Sequence, residues 1–337
     1  MSANPLRKAL LPLVPIYRMG LGLRGLGLRS NLERVRRLRS PVISIGNLSM
    51  GGSGKTPLTI ALAQALAECG LQVDVLSRGY GRVSNLPARV NPNGTAEEFG
   101  DEPILIARET GQPVYVAAQR YEAGLLAEES QATQGASAAP QVLLHLLDDG
   151  FQHRQLHRDI DVVLLDRHDW HDSLLPAGNL REPLSAIRRA SILAIPADDP
   201  ELRIEIESSG WTGTIWRLRR IIEVPAVRVS VAAFCGIARP EQFFAGLKAA
   251  GLPVVFQKAF PDHHRYTLRE IEAFTAEARA AGARALFTTE KDQIRLRSLA
   301  PTLPLHTARL RIEIGNRDRA ITALLATLRA GRPQPSL

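Results

Sequence analysis

The residues best suited to chemistry form a glycine-rich loop, GNLSMGGSGKT, over residues 46–56. The apolar run at 41–45 predicts a strand before it, and residues 57–68 predict a helix after it. Such a loop directs backbone N–H groups and the positive end of a helix dipole at one concavity, which suits a triphosphate. Lys55 would reach the β- and γ-phosphates, and the Thr56 hydroxyl would hold Mg²⁺. The predicted nucleotide-binding residues are Met50, Gly51, Gly52, Ser53, Gly54, Lys55 and Thr56.

The loop departs from the usual nucleotide-binding pattern at Ser49, where a glycine is expected five residues before Gly54. The alternative interpretation is a tight glycine turn that opens an ordinary helix. Four glycines, a flanking strand and a flanking helix favour phosphate binding over that alternative.

Acidic residues follow a second apolar run, where Asp148 and Asp149 come directly after residues 142–147. Ligands of parallel sheets bind beyond the carboxyl ends of the strands. A carboxylate at this position can bind Mg²⁺ directly or through water, although acidic turn caps have the same pattern. Gln152 lies just beyond and is a candidate for orienting a ligand.

Three further groups are chemically ambiguous. Asp101 and Glu102 open a predicted helix and can simply be a favourable N-terminus. His263 and His264 follow Asp262, and a histidine oriented by a carboxylate can deprotonate a hydroxyl, but two histidines can also be structural. Arg78 is either a phosphate ligand or a solvated loop residue.

The order of these elements predicts an α/β fold. Apolar strands alternate with helices, so we expect a mostly parallel sheet with helices on both faces, of the P-loop NTPase type. The pattern restarts at about Val227. We therefore predict a P-loop domain at 41–222, a smaller α/β domain at 223–304 closing over the nucleotide cleft, and a return of 305–337 to the first domain.

The charge of the chain is concentrated at its N-terminus. The 337 residues carry a net charge of +8, and residues 1–40 alone account for it, with nine basic residues and one acidic residue. These residues are also rich in leucine, and prolines 5, 12 and 15 predict short helical pieces. We expect a membrane-surface segment, the alternative being a helix packed on the core. The scarcity of aromatic residues here argues against a nucleic-acid partner.

Several motifs occur together in chain order, namely SIGNLSMGGSGKTP, LSRGYGR, GDEP, LDDGFQH, GNLREP, FPDHHRY and TTEKD. In this combination, which includes Ser49, the chain resembles the tetraacyldisaccharide 4′-kinase (lipid A 4′-kinase) family. The resemblance implies ATP- and Mg²⁺-dependent phosphorylation of the 4′-hydroxyl of a tetraacylated glucosamine disaccharide 1-phosphate, an anionic lipid. It also implies a peripheral or monotopic enzyme at the cytoplasmic face of the bacterial inner membrane.

The resemblance also implies roles for single residues. Asp101 and His263 match the catalytic Asp–His pair, with His264 the less favoured histidine, and Lys55 acts with them. Glu102 would join Thr56 and Asp149 around the metal. The candidates for substrate binding or charge stabilisation are Asn47, Arg78, Asp148, Gln152, Arg181 and Glu182.

Two alternatives remain open. In one, Asp149 is the base and the histidine is structural. In the other, the protein is a P-loop ATPase or GTPase with a regulatory or chaperone role and no lipid acceptor.

Overall fold

The structure is a computed structural model, and it describes residues 7, 9–30, 34–134, 143–296, 299 and 301–331. Within these residues the strands are β1 Val42–Asn47, β2 Gln72–Ser77, β3 Ala88–Arg89, β4 Val114–Val116, β5 Leu143–Asp148, β6 Ile160–Leu164, β7 Ile192–Pro196, β8 Thr214–Glu223, β9 Val231–Cys235, β10 Val254–Ala259, β11 Ala285–Thr289 and β12 Leu305–Ile314. The helices are α1 Val14–Arg29, α2 Lys55–Glu68, α3 Ala96–Phe99, α4 Asp101–Thr110, α5 Arg120–Gln134, α6 Arg167–Trp170, α7 Pro200–Ser208, α8 Pro240–Ala249, α9 Leu268–Ala280, α10 Glu290–Leu296 and α11 Arg317–Ala330. Short 3₁₀ helices lie at Leu11–Leu13 and Leu184–Arg189.

All twelve strands join one sheet in the order β10-β9-β11-β12-β8-β7-β6-β1-β5-β2-β4-β3. The strands from β8 to β4 are parallel to one another, and so are the strands from β10 to β12. The two sets meet where β12 and β8 pair antiparallel, and β3 adds an antiparallel edge to β4. The predicted mostly parallel α/β fold is therefore confirmed.

Both faces of the sheet are covered, because alternate residues of one strand pack into different cores. In β5, Leu144 and Leu146 belong to the largest hydrophobic cluster, whereas Leu147 packs in a separate cluster with Leu76 and Tyr115. This explains why the central strands carry apolar residues on both faces, as parallel strands buried on two faces do.

Strand β12 connects the two sets of parallel strands. Its first half, as far as Ala308, pairs with β11, and its second half, from Arg309, pairs with β8. Helix α11 then packs with Ile321, Leu324 and Leu328 in the same cluster as Leu144 and Leu146. The C-terminal segment thus contacts the strands around the glycine-rich loop.

The expectation of only short helical pieces at the N-terminus is wrong. Helix α1 runs for 16 residues, and Pro15 lies within its first turn. Proline is tolerated there because the first N–H groups of a helix have no partner within the helix. The parts of the predicted N- and C-terminal segments at 1–6, 8, 31–33 and 332–337 lie outside the described residues.

Candidate active site

The glycine-rich loop leaves β1 and enters α2 through two left-handed backbone positions. Gly51 has φ +102° and Gly54 has φ +94°, values that glycine adopts at little cost. Gly54 is the N-cap of α2, and Thr56 in the first turn is buried. The loop lines a cavity of about 1720 Å³. It therefore presents a helix N-terminus to an open cavity, as a phosphate site requires.

Lys55 lies in a polar cluster beneath the loop. Its Nζ donates to Asn47 Oδ1 at 3.1 Å and is 3.6 Å from Asp149 Oδ1. Arg181 binds the same carboxylate with two nitrogens, at 3.0 and 3.3 Å, and also donates to Asn47 Oδ1 at 2.6 Å. Burial alone would raise the pKa of Asp149, but the charges of Lys55 and Arg181 lower it, so this carboxylate is ionised. Two cations are thus placed where phosphate oxygens would enter.

The other carboxylates converge on the same place. Asp148 is buried at the end of β5 and accepts a hydrogen bond from Thr59 Oγ1 at 3.0 Å. Burial, then the charges of Glu102 and Asp149, raise its pKa to about 7. The carboxylate oxygens of Glu102, Asp148 and Asp149 and the Thr56 hydroxyl are ligands of the kind that Mg²⁺ binds. The negative charges of Glu102 and Asp149 repel an ionised Asp148, and a bound cation would offset this repulsion. The donor set fits the implied metal.

Glu102 is already partnered by a cation from the far end of the chain. The Nζ of Lys291, at the start of α10, donates to Glu102 Oε1. Burial lowers the pKa of Lys291, but the charges of Glu102 and Asp101 outweigh burial and raise it. This pair therefore joins the N-terminus of α4 to α10 at the wall of the cavity.

The predicted Asp101–His263 pair is present. The two residues are 162 positions apart, and His263 Nδ1 lies 3.3 Å from Asp101 Oδ2. Asp101 is buried, and although burial favours its neutral form, the hydrogen bond with His263 and the charge of Arg295 hold its pKa below the usual range. The same hydrogen bond raises the pKa of His263. With Nδ1 turned to the carboxylate, Nε2 is the nitrogen left for a substrate.

His264 has a different environment. Its ring stacks on Phe260 with centroids 4.9 Å apart, and its Nε2 lies 3.1 Å from Glu270 Oε1. His263 instead has left-handed backbone angles, with φ +56°, and contacts the Tyr80 ring at 4.9 Å. The turn thus directs His263 into the cavity and His264 into the packing of β10 and α9.

Most of the predicted site residues line this single cavity. They are Met50, Gly51, Gly52, Ser53, Gly54, Lys55, Thr56, Arg78, Glu102, Asp148, Asp149, Gln152, Arg181, Glu182 and His263. Asn47 and Asp101 support it from behind through the contacts above. Arg78 is exposed at the rim, and Glu182 pairs with Arg189 at 2.8 Å.

With this geometry established, the chain can be compared with known proteins. The model of the family described as tetraacyldisaccharide-1-P 4′-kinase, LpxK, matches residues 6–329. The chain belongs to this family. The predicted resemblance is therefore confirmed.

Individual relatives agree with this assignment. The tetraacyldisaccharide 4′-kinase of Koribacter versatilis is 41% identical over 325 residues, covering 93% of this chain and 97% of the relative. The enzyme of the same name from Syntrophobacter fumaroxidans is 40% identical over 298 residues, covering 80% and 74%. The crystal structure of LpxK from Aquifex aeolicus, described as an "apo" form in complex with ATP, superposes with a TM-score of 0.73 at 31% identity, covering 96% of this chain and 99% of that one.

Sequence reasoning missed several cations of this LpxK-family site. Arg120 lines the cavity, is buried, and has a pKa lowered to about 10 by burial and by Arg78. Its position at the start of α5, just after β4, was a usable signal, because β4 ends at the same edge of the sheet as β1. Lys291 stands in the TTEKD motif, but only the tertiary fold brings it to Glu102. Arg295 carried no local signal, since only the tertiary fold brings it to Asp101.

Helix α1 lies beside the cavity. Tyr17, Leu21 and Arg24 line it, and the Tyr17 hydroxyl donates to the Arg181 carbonyl at 3.0 Å. Among the described residues, none of the helices has the length and apolar character needed to cross a bilayer.

Proposed function

We propose that this member of the LpxK family transfers the γ-phosphoryl group of ATP to the 4′-hydroxyl of a tetraacylated glucosamine disaccharide 1-phosphate, with Mg²⁺, at the cytoplasmic face of the inner membrane. One observation supports this above the others. The phosphate loop with Lys55 and the His263 ring face the same cavity, and Asp101 holds that ring from behind, so a nucleotide and an acceptor hydroxyl can meet there.

The nucleotide half of the reaction would use electrostatics and positioning, since phosphoryl transfer has a loose transition state. Backbone N–H groups of residues 51, 52, 54 and 55 and the Lys55 ammonium would bind the β- and γ-phosphates. The N–H groups of Met50 and Ser53 donate instead to the Asn179 and Gly51 carbonyls. Arg181 would add charge stabilisation, because it already shares Asn47 and Asp149 with Lys55. The cavity thereby holds the phosphates at fixed cations before the acceptor arrives.

Mg²⁺, held by Thr56, Asp149 and Glu102 with Asp148 close by, would neutralise phosphate charge. Glu102 binds Lys291 and Asp149 binds Arg181 in this structure. We infer that these two cations hold the carboxylates ionised and in place until the nucleotide enters.

The acceptor half would depend on His263. Its Nε2 accepts the proton of the 4′-hydroxyl as the sugar oxygen bonds to the γ-phosphorus and the bond to the β-phosphate oxygen breaks, releasing ADP. Asp101 fixes the ring through Nδ1 and stabilises the imidazolium that forms. We further propose that residues 223–304, which carry His263 and Lys291, close as a smaller domain over the nucleotide bound by residues 41–222.

The experiment is transfer of label from γ-labelled ATP to the lipid A disaccharide precursor. We expect labelled lipid with the wild type and none with Lys55→Ala or Thr56→Ala. Lys258→Ala is a matched control, because Lys258 is exposed and pairs with Glu277 at 3.2 Å. Nucleotide hydrolysis without lipid labelling would favour the regulatory ATPase instead, and full activity of Lys55→Ala would contradict the phosphate-loop assignment.

We propose that α1 attaches the enzyme to the membrane surface. Its lipid-facing set would be the exposed apolar residues of α1 and the turn before it, which are Leu11, Leu13, Ile16, Met19, Leu23 and Leu26. Because the same helix lines the cavity, acyl chains could stay in the bilayer while the sugar enters the site. Each basic residue near an anionic membrane surface adds about 1 kcal/mol to the free energy of binding to that surface.

Vesicle partitioning tests this attachment. We expect weaker binding to phosphatidylglycerol vesicles from two proteins: the double variant Ile16→Ser/Leu23→Ser and a deletion of residues 2–28. Leu268→Ser, an equally apolar exposed position on α9, is the control and should bind as the wild type does. Equal partition of all the variants would refute the role of α1.

A further inference from the structure

The TTEKD motif ends in a buried acid that does not itself line the cavity. Asp292 is fully buried and accepts hydrogen bonds from Gly236 N at 3.1 Å, the Tyr266 hydroxyl at 2.9 Å, Thr289 Oγ1 at 2.6 Å and Arg295 Nη1 at 3.0 Å. Its oxygens are thus occupied by groups of the protein. The effect of Asp292 is to fix Arg295, one turn later on α10.

Arg295 extends from α10 to the other catalytic segment. Its side chain is only 5% exposed, its Nε donates to Asp101 Oδ2 at 2.7 Å, and its Nη2 contacts the same oxygen. Its Nη1 donates to the Gly236 carbonyl at 2.6 Å. One guanidinium therefore connects the carboxylate at the start of α4 with the loop after β9.

His263 is held by the same two acceptors. Its backbone N–H donates to the Gly236 carbonyl at 3.1 Å, and its Nδ1 lies 3.3 Å from Asp101 Oδ2. Arg295 Nη2 is also 3.3 Å from Nδ1. Two groups that fix the histidine in this direction, the Gly236 carbonyl and Asp101, are thus groups that Arg295 binds. The His263 N–H also donates to Asp262 Oδ1 at 3.0 Å, within the same turn.

We propose that Arg295 is the positioning residue of the Asp101–His263 pair, holding the carboxylate and the His263 turn in register and opposing a positive charge on the free imidazole. This inference rests on the proposed function, in which His263 accepts the substrate proton. Arg295 reaches neither nucleotide nor lipid and acts only through these two residues.

The opposing charge matters because a carboxylate alone would keep the histidine protonated and therefore unable to act as a base. Asp101 on α4 and Asp262 on the same turn favour the imidazolium, and Arg295 on α10 disfavours it, while the fourth neighbour is the neutral ring of Tyr80. The hydrogen bond to Asp101 raises the pKa of His263, and burial and Arg295 lower it. Removing the guanidinium should raise this pKa further.

The test compares three variants: Arg295→Met, Arg295→Lys and the matched control Arg311→Met. Arg311 also joins α4 to α10, through Glu109 at 2.7 Å and Glu290 at 3.3 Å. It contacts neither Asp101 nor His263, so Arg311→Met reports the cost of losing an ion pair between these helices. Arg295→Lys keeps the charge but not the fork-shaped geometry.

The first measurement is the pKa of the His263 ring from histidine NMR titration of the full chain, with His263→Gln to assign the signal. We expect a higher pKa in Arg295→Met and an unchanged pKa in Arg311→Met and Arg295→Lys. An unchanged or lower pKa in Arg295→Met overturns the inference. This measurement needs no turnover, so it still tests Arg295 if the wild type proves to have no kinase activity.

The second measurement is the kinetics of lipid phosphorylation. Misplacement of a catalytic group by about 1 Å can cost on the order of 10²-fold, so kcat should fall about that far in Arg295→Met while KM for ATP stays unchanged. The kcat of Arg295→Lys should lie between those of the wild type and Arg295→Met. Millimolar guanidinium should restore part of the rate of a third variant, Arg295→Ala. If Arg295→Met does not fold, the kcat of Arg295→Lys relative to Arg311→Met decides whether Arg295 positions the pair. Equal losses in Arg311→Met and Arg295→Lys would reduce Arg295 to a structural residue.

Discussion

Titration of His145 tests how strongly one buried ion cluster stabilises the fold. His145 lies on β5 with no exposed surface. Its Nδ1 is 2.6 Å from Asp74 Oδ1, and its Nε2 is 3.5 Å from Glu128 Oε1. Burial lowers the pKa of the imidazole, but Asp74 and Glu128 outweigh burial and raise it to about 9. At neutral pH the folded protein therefore keeps a proton on His145, which lies between Asp74 and the Glu128 carboxylate.

The sign and size of the effect follow from linkage. A histidine in the unfolded chain has a pKa of about 6.5, so the folded state binds the proton more tightly. The stabilisation is complete below pH 6.5 and is lost as the pH rises through 9. At 1.36 kcal/mol per pKa unit, the loss across this window is at most about 3 kcal/mol. Burial raises the pKa of Asp74 in spite of the charge of His145.

Urea unfolding from pH 6 to 9.5 measures the free energy of unfolding as a function of pH. The proteins compared are the wild type, His145→Gln and the double variant Asp74→Asn/His145→Gln. The double variant removes both members of the 2.6 Å contact and is the reference for all other titrating groups. The free-energy difference between wild type and double variant should shrink by about 3 kcal/mol over this range. A pH-independent difference would show that His145 is neutral in the folded state and would refute the reasoning. His145→Gln alone should be the least stable protein, because it leaves Asp74 buried without a cation.

Two further predictions concern the catalytic pair and the loop. Asp101→Ala and His263→Ala should each lower kcat by about 10²–10⁴-fold, and the double variant should be little worse than either; steady-state assays giving multiplicative losses would show that the residues act independently. Gly46→Ala should destabilise the fold by about 1–3 kcal/mol, because a Cβ there would lie 2.5 Å from Phe151 Cβ. Gly22→Ala, with nothing within 4 Å, is its control in urea unfolding.

Local patterns predicted much of this molecule. The strand before the phosphate loop, the helix after it and the acids after β5 are all visible in the sequence, because each depends on residues that are neighbours in the chain. Pro15 misled the prediction of α1, since a proline that breaks a helix interior is tolerated in the first turn. Helix α7 had a readable signal that was missed, with Asp199 accepting from Leu202 N as its cap and Pro200 opening the helix.

The sequence could not predict the partners of the proposed site residues Asp101 and Glu102 for a different reason. Arg295 and Asp101 are separated by 194 positions, and Lys291 and Glu102 by 189. An ion pair of this kind has no periodicity and no local composition, so it depends wholly on how α10 packs beside α4. The family resemblance supplied Asp101 and His263 but not the arginine that binds both.

Ser49 shows how a departure from a motif can belong to the site. A glycine in the usual position gives a phosphate loop its backbone freedom, yet Ser49 is fully buried and its Oγ accepts from Asn47 Nδ2 at 3.1 Å. That bond leaves Asn47 Oδ1 directed at Lys55 and Arg181, which donate to it at 3.1 and 2.6 Å. The serine thus orients the amide that accepts from both Lys55 and Arg181, the two cations proposed to bind phosphate. The left-handed turns fall to Gly51 and Gly54. A glycine at 49 would keep the turn and lose the hydroxyl that orients this amide.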